Sequence, residues 1–182
     1  MPGPFRMRDG RLDIPHDSVL TDDPLNILRI FVQGLKTGAL IHPNALRMLA
    51  ANLNLIDDDL RANPEANAIF LNLLTKSGDP ERALRRLNET GVLGRFIPDF
   101  GRIVAMMQFN MYHHYTVDEH TIMAIRTLHR IEKGELEDQL PLSSGIMKEG
   151  VDRTILYVAL LLHDIGKGLP EDHSEVGARV AM

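Results

Sequence analysis

The sequence contains no cysteine. Disulfides, thiolate metal ligands and cysteine nucleophiles are excluded together, and the composition fits a reducing cytoplasm. Tryptophan is absent and aromatics make up only 5% of the residues, which argues against a base-stacking platform for single-stranded nucleic acid. Positive charge is also short: 20 Lys and Arg stand against 25 Asp and Glu, a formal net charge of −5. A broad electrostatic grip on nucleic acid is not expected from that balance. Long apolar runs are missing, the longest being Ile155 to Leu162. A membrane span needs about 20 such residues, so this run reads as a buried helix. The first residues, Met1-Pro-Gly-Pro-Phe-Arg6, hold no apolar signal core, so secretion is not expected and the cytoplasm is. At 182 residues the chain is long enough for one sizeable core, or for one domain with part of another.

Period-two alternation is lacking over any length, and one short strand near Arg11 to Ile14 is all that the pattern allows. What is present is helical. Asp23-Pro24 predicts a helix start, followed by Leu25, Leu28, Phe31, Val32 and Leu35 up to Gly38. Further helices are expected from Pro43, from Pro64 to before Gly78, and from Asp79-Pro80 to Gly91. A break from Val92 to Gln108 should hold a short helix over Pro98 to Met107. Thr116-Val-Asp-Glu119 has capping-box spacing, so a helix should begin at Val117 and run to about Lys133-Gly134. Glu135 to Gly150 reads as an exposed loop, and Asp152 as the cap of a helix ending at His163. Asp57-Asp58-Asp59 reads as a helix cap or loop, and Arg82, Arg85 and Arg86 as a solvated face. The expected fold class is all-α.

Six of the eight histidines fall in the last 70 residues. The strongest chemical signal among them is His163-Asp164-Ile165-Gly166-Lys167-Gly168. An imidazole and a carboxylate at the end of an apolar helix are costly unless something pairs with them. Two glycines free the backbone to approach a ligand, and the lysine between them can reach a phosphate. Adjacent imidazole and carboxylate groups suit a divalent ion such as Mn²⁺, Mg²⁺, Fe²⁺ or Zn²⁺. His120 is the natural third ligand, because it shares a helix face with Ala124, Leu128 and Ile131. Taken alone it reads as an ordinary core or surface histidine; beside His163-Asp164 the ligand reading is the stronger.

These residues carry a resemblance. His120 followed after 43 residues by His163-Asp164 resembles the opening of the HD superfamily pattern, His…His-Asp…Asp. More narrowly, Gln108-Phe-Asn-Met-Tyr-His-His-Tyr-Thr-Val-Asp-Glu-His120 is similar to the signature before the first metal histidine in PII uridylyltransferase/uridylyl-removing enzymes. Asn54-Leu-Ile-Asp-Asp-Asp59 and Leu93-Gly-Arg-Phe-Ile-Pro98 resemble stretches of the same family, between its nucleotidyltransferase and HD domains. The resemblance implies that residues 1–107 are the end of a nucleotidyltransferase region with a helical connector. It implies that 108–182 form the N-terminal half of an HD helical bundle, truncated at its C-terminal side. It further implies that His120, His163 and Asp164 are ligands of a divalent metal, Mg²⁺ or Mn²⁺ first, and that Lys167 holds the phosphate. His173 would bind a second metal or the phosphate, unless it belongs to a helix terminus beside the cap residues Asp172 and Ser174. His113 would line the pocket, and His114 and His129 match nothing in the family and are expected in solvent.

The activity so implied is hydrolysis of the phosphodiester joining UMP to a tyrosine of the PII nitrogen-signalling protein. Asp164 would double as acceptor of the attacking water's proton. PII is the implied partner, and glutamine the effector, acting through domains absent from these residues. Two features of the family are missing. The downstream aspartate that closes an HD site does not occur before Met182; the Gly-Ser pair of the uridylylating site does not occur either, and the only carboxylate cluster, Asp57-Asp58-Asp59, reads as a helix cap or loop rather than as that site's Asp-x-Asp pair. The chain by itself is therefore expected to be catalytically inert. Two other readings of the same residues remain. One is an HD phosphohydrolase acting on a free nucleotide or cyclic dinucleotide; the other is a helical interaction module with a vestigial site.

Overall fold

A computed structural model describes residues 3–107, 115–167, 169 and 177–179. The chain divides into two units, Met1–Pro98 and Asp99–Met182. Both are built mainly of helices, so the expected all-α class holds. Among the described residues no helix is long and apolar enough to cross a membrane.

In the first unit, β1 (Arg6–Arg8) pairs antiparallel with β2 (Arg11–Asp13), Met7 lying opposite Leu12. Asp9 and Gly10 between them both have positive φ, 49° and 72°. That is the Asp-Gly hairpin turn, whose backbone twist matches the twist of the flanking strands. Only β2 is anticipated by the sequence pattern, because β1 is exposed throughout and shows no alternation. The helices that follow are α1 (Ser18–Thr21), α2 (Asn26–Thr37), α3 (Pro43–Ala51), α4 (Asp58–Ala62), α5 (Pro64–Thr75), α6 (Pro80–Glu89) and α7 (Val92–Phe96). Proline opens α3, α5 and α6, and the residue before each proline caps the helix. Asn63 accepts from Glu65 N at 2.8 Å and Asp79 from Arg82 N at 3.0 Å. His42 does the same with its ring Nδ1, 3.1 Å from Asn44 N. Asp57 caps α4, accepting from Leu60 N at 2.9 Å. The exception is α2, which begins at Asn26 rather than at Pro24. Its approach is a tight turn, with Asn26, Ile27 and Leu28 donating to carbonyls three residues back.

Ile27, Leu28, Ile30 and Phe31 of α2, Leu73 and Leu74 of α5, and Leu84 and Leu87 of α6 form the core of this unit. Phe70 and Phe96 pack with ring centroids 5.3 Å apart. The arginines of α6 are half-buried, not the solvated face expected. Arg85 pairs with Glu81 at 3.3 Å and Arg86 with Glu89 at 2.6 Å, while Arg82 donates to the Gly38 and Ala39 carbonyls.

The second unit contains α8 (Pro98–Ile103, whose first residue belongs to the first unit), α9 (Val117–Glu132), α10 (Pro141–Glu149) and α11 (Arg153–Leu162). Three expectations are corrected here. The helix from Pro98 stops at Ile103, where Ala105 turns with φ 57° and Met107 bridges Thr116. The stretch read as an exposed loop contains α10, opened by Pro141 and burying Ser144 against its neighbours. Helix α9 does start at Val117, but Thr116 makes no capping hydrogen bond through its side chain. Asp118 is instead drawn back to Ala105 N at 3.1 Å. Asp152 caps α11 as expected, accepting from Ile155 N at 2.9 Å. The apolar run is only partly buried. Tyr157 and Leu161 are covered, whereas Ile155 is 68% exposed. Among the described elements α11 packs chiefly on α9, which covers one face only.

Asp13, at the end of β2, is wholly buried. Arg6 donates to its Oδ2 at 2.9 and 3.2 Å, and Asn44 to its Oδ1 at 3.4 Å. Burial alone would raise its pKa, but these bonds outweigh that and hold it below the usual carboxylate value. The carboxylate thus ties the hairpin to the start of α3. Asp13→Ala should destabilise the first unit by about 1 kcal/mol, since half-exposed Arg6 and Asn44 lose their acceptor and the hairpin loses its tie to α3. Urea unfolding of the two proteins checks this, and equal midpoints would show the tie to be incidental.

Candidate metal centre

Helices α9 and α11 are antiparallel neighbours. Arg153 at the start of α11 meets Glu132 at the end of α9, and Tyr157 one turn on meets His129. At the other end, His163 and Asp164, just past α11, meet His120 in the first turn of α9. Two stretches 43 residues apart in sequence therefore deliver three polar side chains to one point. Ligand atoms of His120, His163 and Asp164 all lie within 4.8 Å of one another.

Asp164 is the centre of that cluster, buried at the end of the apolar helix. Its Oδ2 lies 3.2 Å from His163 Nε2, 3.9 Å from His120 Nε2 and 2.7 Å from Lys167 Nζ. Burial opposes its charge, but the hydrogen bonds from His163 and Lys167 and their positive charges outweigh burial and hold its pKa well below the carboxylate range. His163 shifts the other way. Its hydrogen bond to Asp164 raises its pKa, burial opposing in part. His163 Nδ1 lies 2.7 Å from the Leu160 carbonyl, so Nδ1–H donates there and Nε2 is the nitrogen that faces Asp164. Loss of the Nε2 proton leaves a lone pair in the place a metal ligand needs, with the ring already oriented.

The residues present fit a divalent cation. Two imidazole nitrogens and one anionic oxygen converge, a donor set that a divalent ion takes. Lys167 is not directed away toward open solvent; it sits on Asp164. His113, His114 and His173 lie outside the described residues, as does Gly168. His129 was expected in solvent and is not. Its side chain is 13% exposed, Nδ1 lying 3.2 Å from Tyr157 Oη and 3.4 Å from Glu132. Sequence reasoning passed over Glu132, Arg153 and Tyr157 as well. The signal available was a tyrosine inside an aliphatic run, four residues after an arginine, where a buried hydroxyl demands a partner.

A family model described as the HD domain matches residues 117–181, the stretch that contains His120, His163 and Asp164. A second, uridylyltransferase GlnD third domain, matches residues 5–96, about half of the chain, and the chain belongs to that family. The chain is 62% identical over 177 residues to a bifunctional uridylyltransferase/uridylyl-removing enzyme of Ruegeria pomeroyi, covering 97% of this chain and 20% of that protein. Proteins of the same name from Cereibacter sphaeroides and Azospirillum brasilense are 58% and 56% identical, over 97% and 94% of this chain and 19% and 18% of theirs. The chain thus spans about a fifth of the length of these relatives. No solved structure matches it.

The raised pKa of His163 sets a pH dependence for cation binding. Its protonated form persists to higher pH than an ordinary histidine's and competes with the ion. Mn²⁺ affinity should be fullest above that raised value and fall as pH drops through it, starting above the usual histidine value of about 6.5. Calorimetric titration at about pH 8 and about pH 6 tests this. Equal affinity at both would remove His163 from the ligand set.

Proposed function

We propose that this chain is the HD phosphohydrolase region of a bifunctional PII uridylyltransferase/uridylyl-removing enzyme, hydrolysing the phosphodiester between UMP and a tyrosine of PII. The observation that carries the reading is the convergence of His120, His163 and Asp164 within a stretch matched by the HD domain. The relatives' name, uridylyltransferase/uridylyl-removing enzyme, supports a uridylyl group as what is removed. On this reading residues 1–107 are the end of the nucleotidyltransferase region and a helical connector, and 108–182 belong to the phosphohydrolase domain. The partner is UMP-modified PII in the cytoplasm, and glutamine acts through domains outside these residues.

His120, His163 and Asp164 would hold the ion, Mg²⁺ or Mn²⁺. When bound, it supplies Lewis-acid polarisation of the phosphoryl group and a water of lowered pKa. The chain's own groups do the rest. Asp164 stays anionic at neutral pH; its basicity rises when Lys167 moves to the phosphate and His163 gives up its proton to bind the ion, and it then accepts the proton of the attacking water. Lys167 offers an ammonium to the phosphate, a role for which a charged donor suits and a metal ligand does not. His173 is assigned to the phosphate or to a second ion. Tyrosine leaves readily, because its phenol has a pKa of about 10.

In the parent enzyme, His163→Ala and Asp164→Ala should each abolish UMP removal and leave UMP addition measurable, as read by gel shift of PII. Loss of both activities in a folded variant would count against a separate hydrolytic site. Free UMP esters and cyclic dinucleotides assayed beside UMP-modified PII decide the substrate; faster turnover of either would replace the proposal. Lys167→Met should lower turnover at least ten-fold, on the order of one lost charge-assisted contact, with metal content unchanged. A metal-free Lys167→Met protein would show the lysine serves the ligands rather than the phosphate.

A further inference from the structure

The polar cluster at the far end of the helix pair has no part in the chemistry just described. Arg153 Nη2 donates to Glu132 Oε2 at 2.9 Å, and its Nε pairs with Glu132 Oε1. The hydroxyl of Tyr157, a fully buried residue, donates to Glu132 Oε2 at 3.0 Å and meets His129 Nδ1 at 3.2 Å. The Arg153 guanidinium lies 4.6 Å from the centre of the Tyr157 ring. Four side chains thus satisfy one another between two helices. Burial works against the Glu132 charge, but the bonds from Arg153, Tyr157 and His129 outweigh it and keep the carboxylate ionised.

Helix α11 needs such a device. From Ile155 to Leu162 every residue is apolar or aromatic, so hydrophobicity does not say which face should meet α9. Leu, Ile and Val would pack about equally well after a rotation of the helix, and a core of this kind loses uniqueness before it loses stability. Arg153, Tyr157, Leu161 and Asp164 recur at helical spacing, on one stripe. Holding Arg153 and Tyr157 against Glu132 and His129 turns that stripe toward α9. Asp164 then arrives 11 residues on from Arg153, roughly 16 Å away by helix rise, opposite His120.

We infer that the Glu132–Arg153–Tyr157–His129 cluster positions the metal centre by selecting the face and register of α11 on α9. The inference rests on the metal-centre reading above. None of the four belongs to the candidate ligand group; they are positioning residues, acting through His163 and Asp164. Buried polar networks often add little net stability but specify one arrangement among several of similar energy.

The test exploits the absence of cysteine. Thr127→Cys on α9 and Ala159→Cys on α11, both at exposed positions, take one spin label each. Dipolar EPR then reads the arrangement of the two helices without any metal, and Mn²⁺ titration reads the centre. The triple variant Glu132→Leu, Arg153→Met, Tyr157→Phe keeps apolar volume while removing every polar link in the cluster. It should stay helical by circular dichroism, give a shifted or broadened distance distribution, and bind Mn²⁺ at least ten-fold more weakly, the order of loss when a ligand's supporting partner goes. If it fails to fold, Tyr157→Phe alone, which keeps the buried ring, decides by the same two readings. A folded variant with either reading unchanged overturns the inference. Should the unaltered chain take up no Mn²⁺, the metal-centre reading fails, and the label distances still decide the register.

Discussion

Helices α9 and α11 lie antiparallel, and the centre exists only because of that pairing. His120 enters on one helix and His163 with Asp164 leave on the other, so any slide or rotation between them separates the three groups. Side chains bridge the pair at both ends, the Glu132–Arg153 ion pair at one and Asp164 with its imidazoles at the other. Between these ends, Tyr157 and Leu161 supply the apolar contact from α11, and Ile122, Ile125 and Leu128 are the buried apolar side chains of α9 from its second turn onward.

Among the described residues, three acidic groups are held ionised against burial, and the identity of their partners separates structure from chemistry. Asp13 is answered by Arg6 and Glu132 by Arg153. A guanidinium does not lose its proton in a protein, so both pairs are permanent fixtures. Asp164 is answered by His163, His120 and Lys167. Imidazoles give up protons near neutral pH, and a lysine can swing away, so positive charge at Asp164 is exchangeable. A buried carboxylate with replaceable cations around it is the electrostatic form of a cation site.

Much of the architecture was legible because the signals are local. Proline at the first position of α3, α5 and α6, with Asn63 or Asp79 before it, states a helix start within four residues of chain. The hairpin was half missed, since β1 has no buried face to imprint a pattern. Helix α10 was missed because Ser143, Ser144 and Gly145 have weak helix propensity, which burial against α9 overrides. Thr116 and Glu119 have the right spacing for a capping box, but spacing does not show that the side chain turns inward.

The sequence by itself determined the all-α class, the ends of most helices and the three residues suited to a cation. Each of these is written in a few neighbouring residues or in a motif whose chemistry is intrinsic to its side chains. Which face of α11 meets α9, where His129 lies and what Lys167 touches were decided only by the tertiary structure. An aliphatic helix has no preferred face of its own, and a histidine or lysine takes its role from whatever partner the fold brings within a few ångströms. His129 found Tyr157 and Glu132 there, and Lys167 found Asp164.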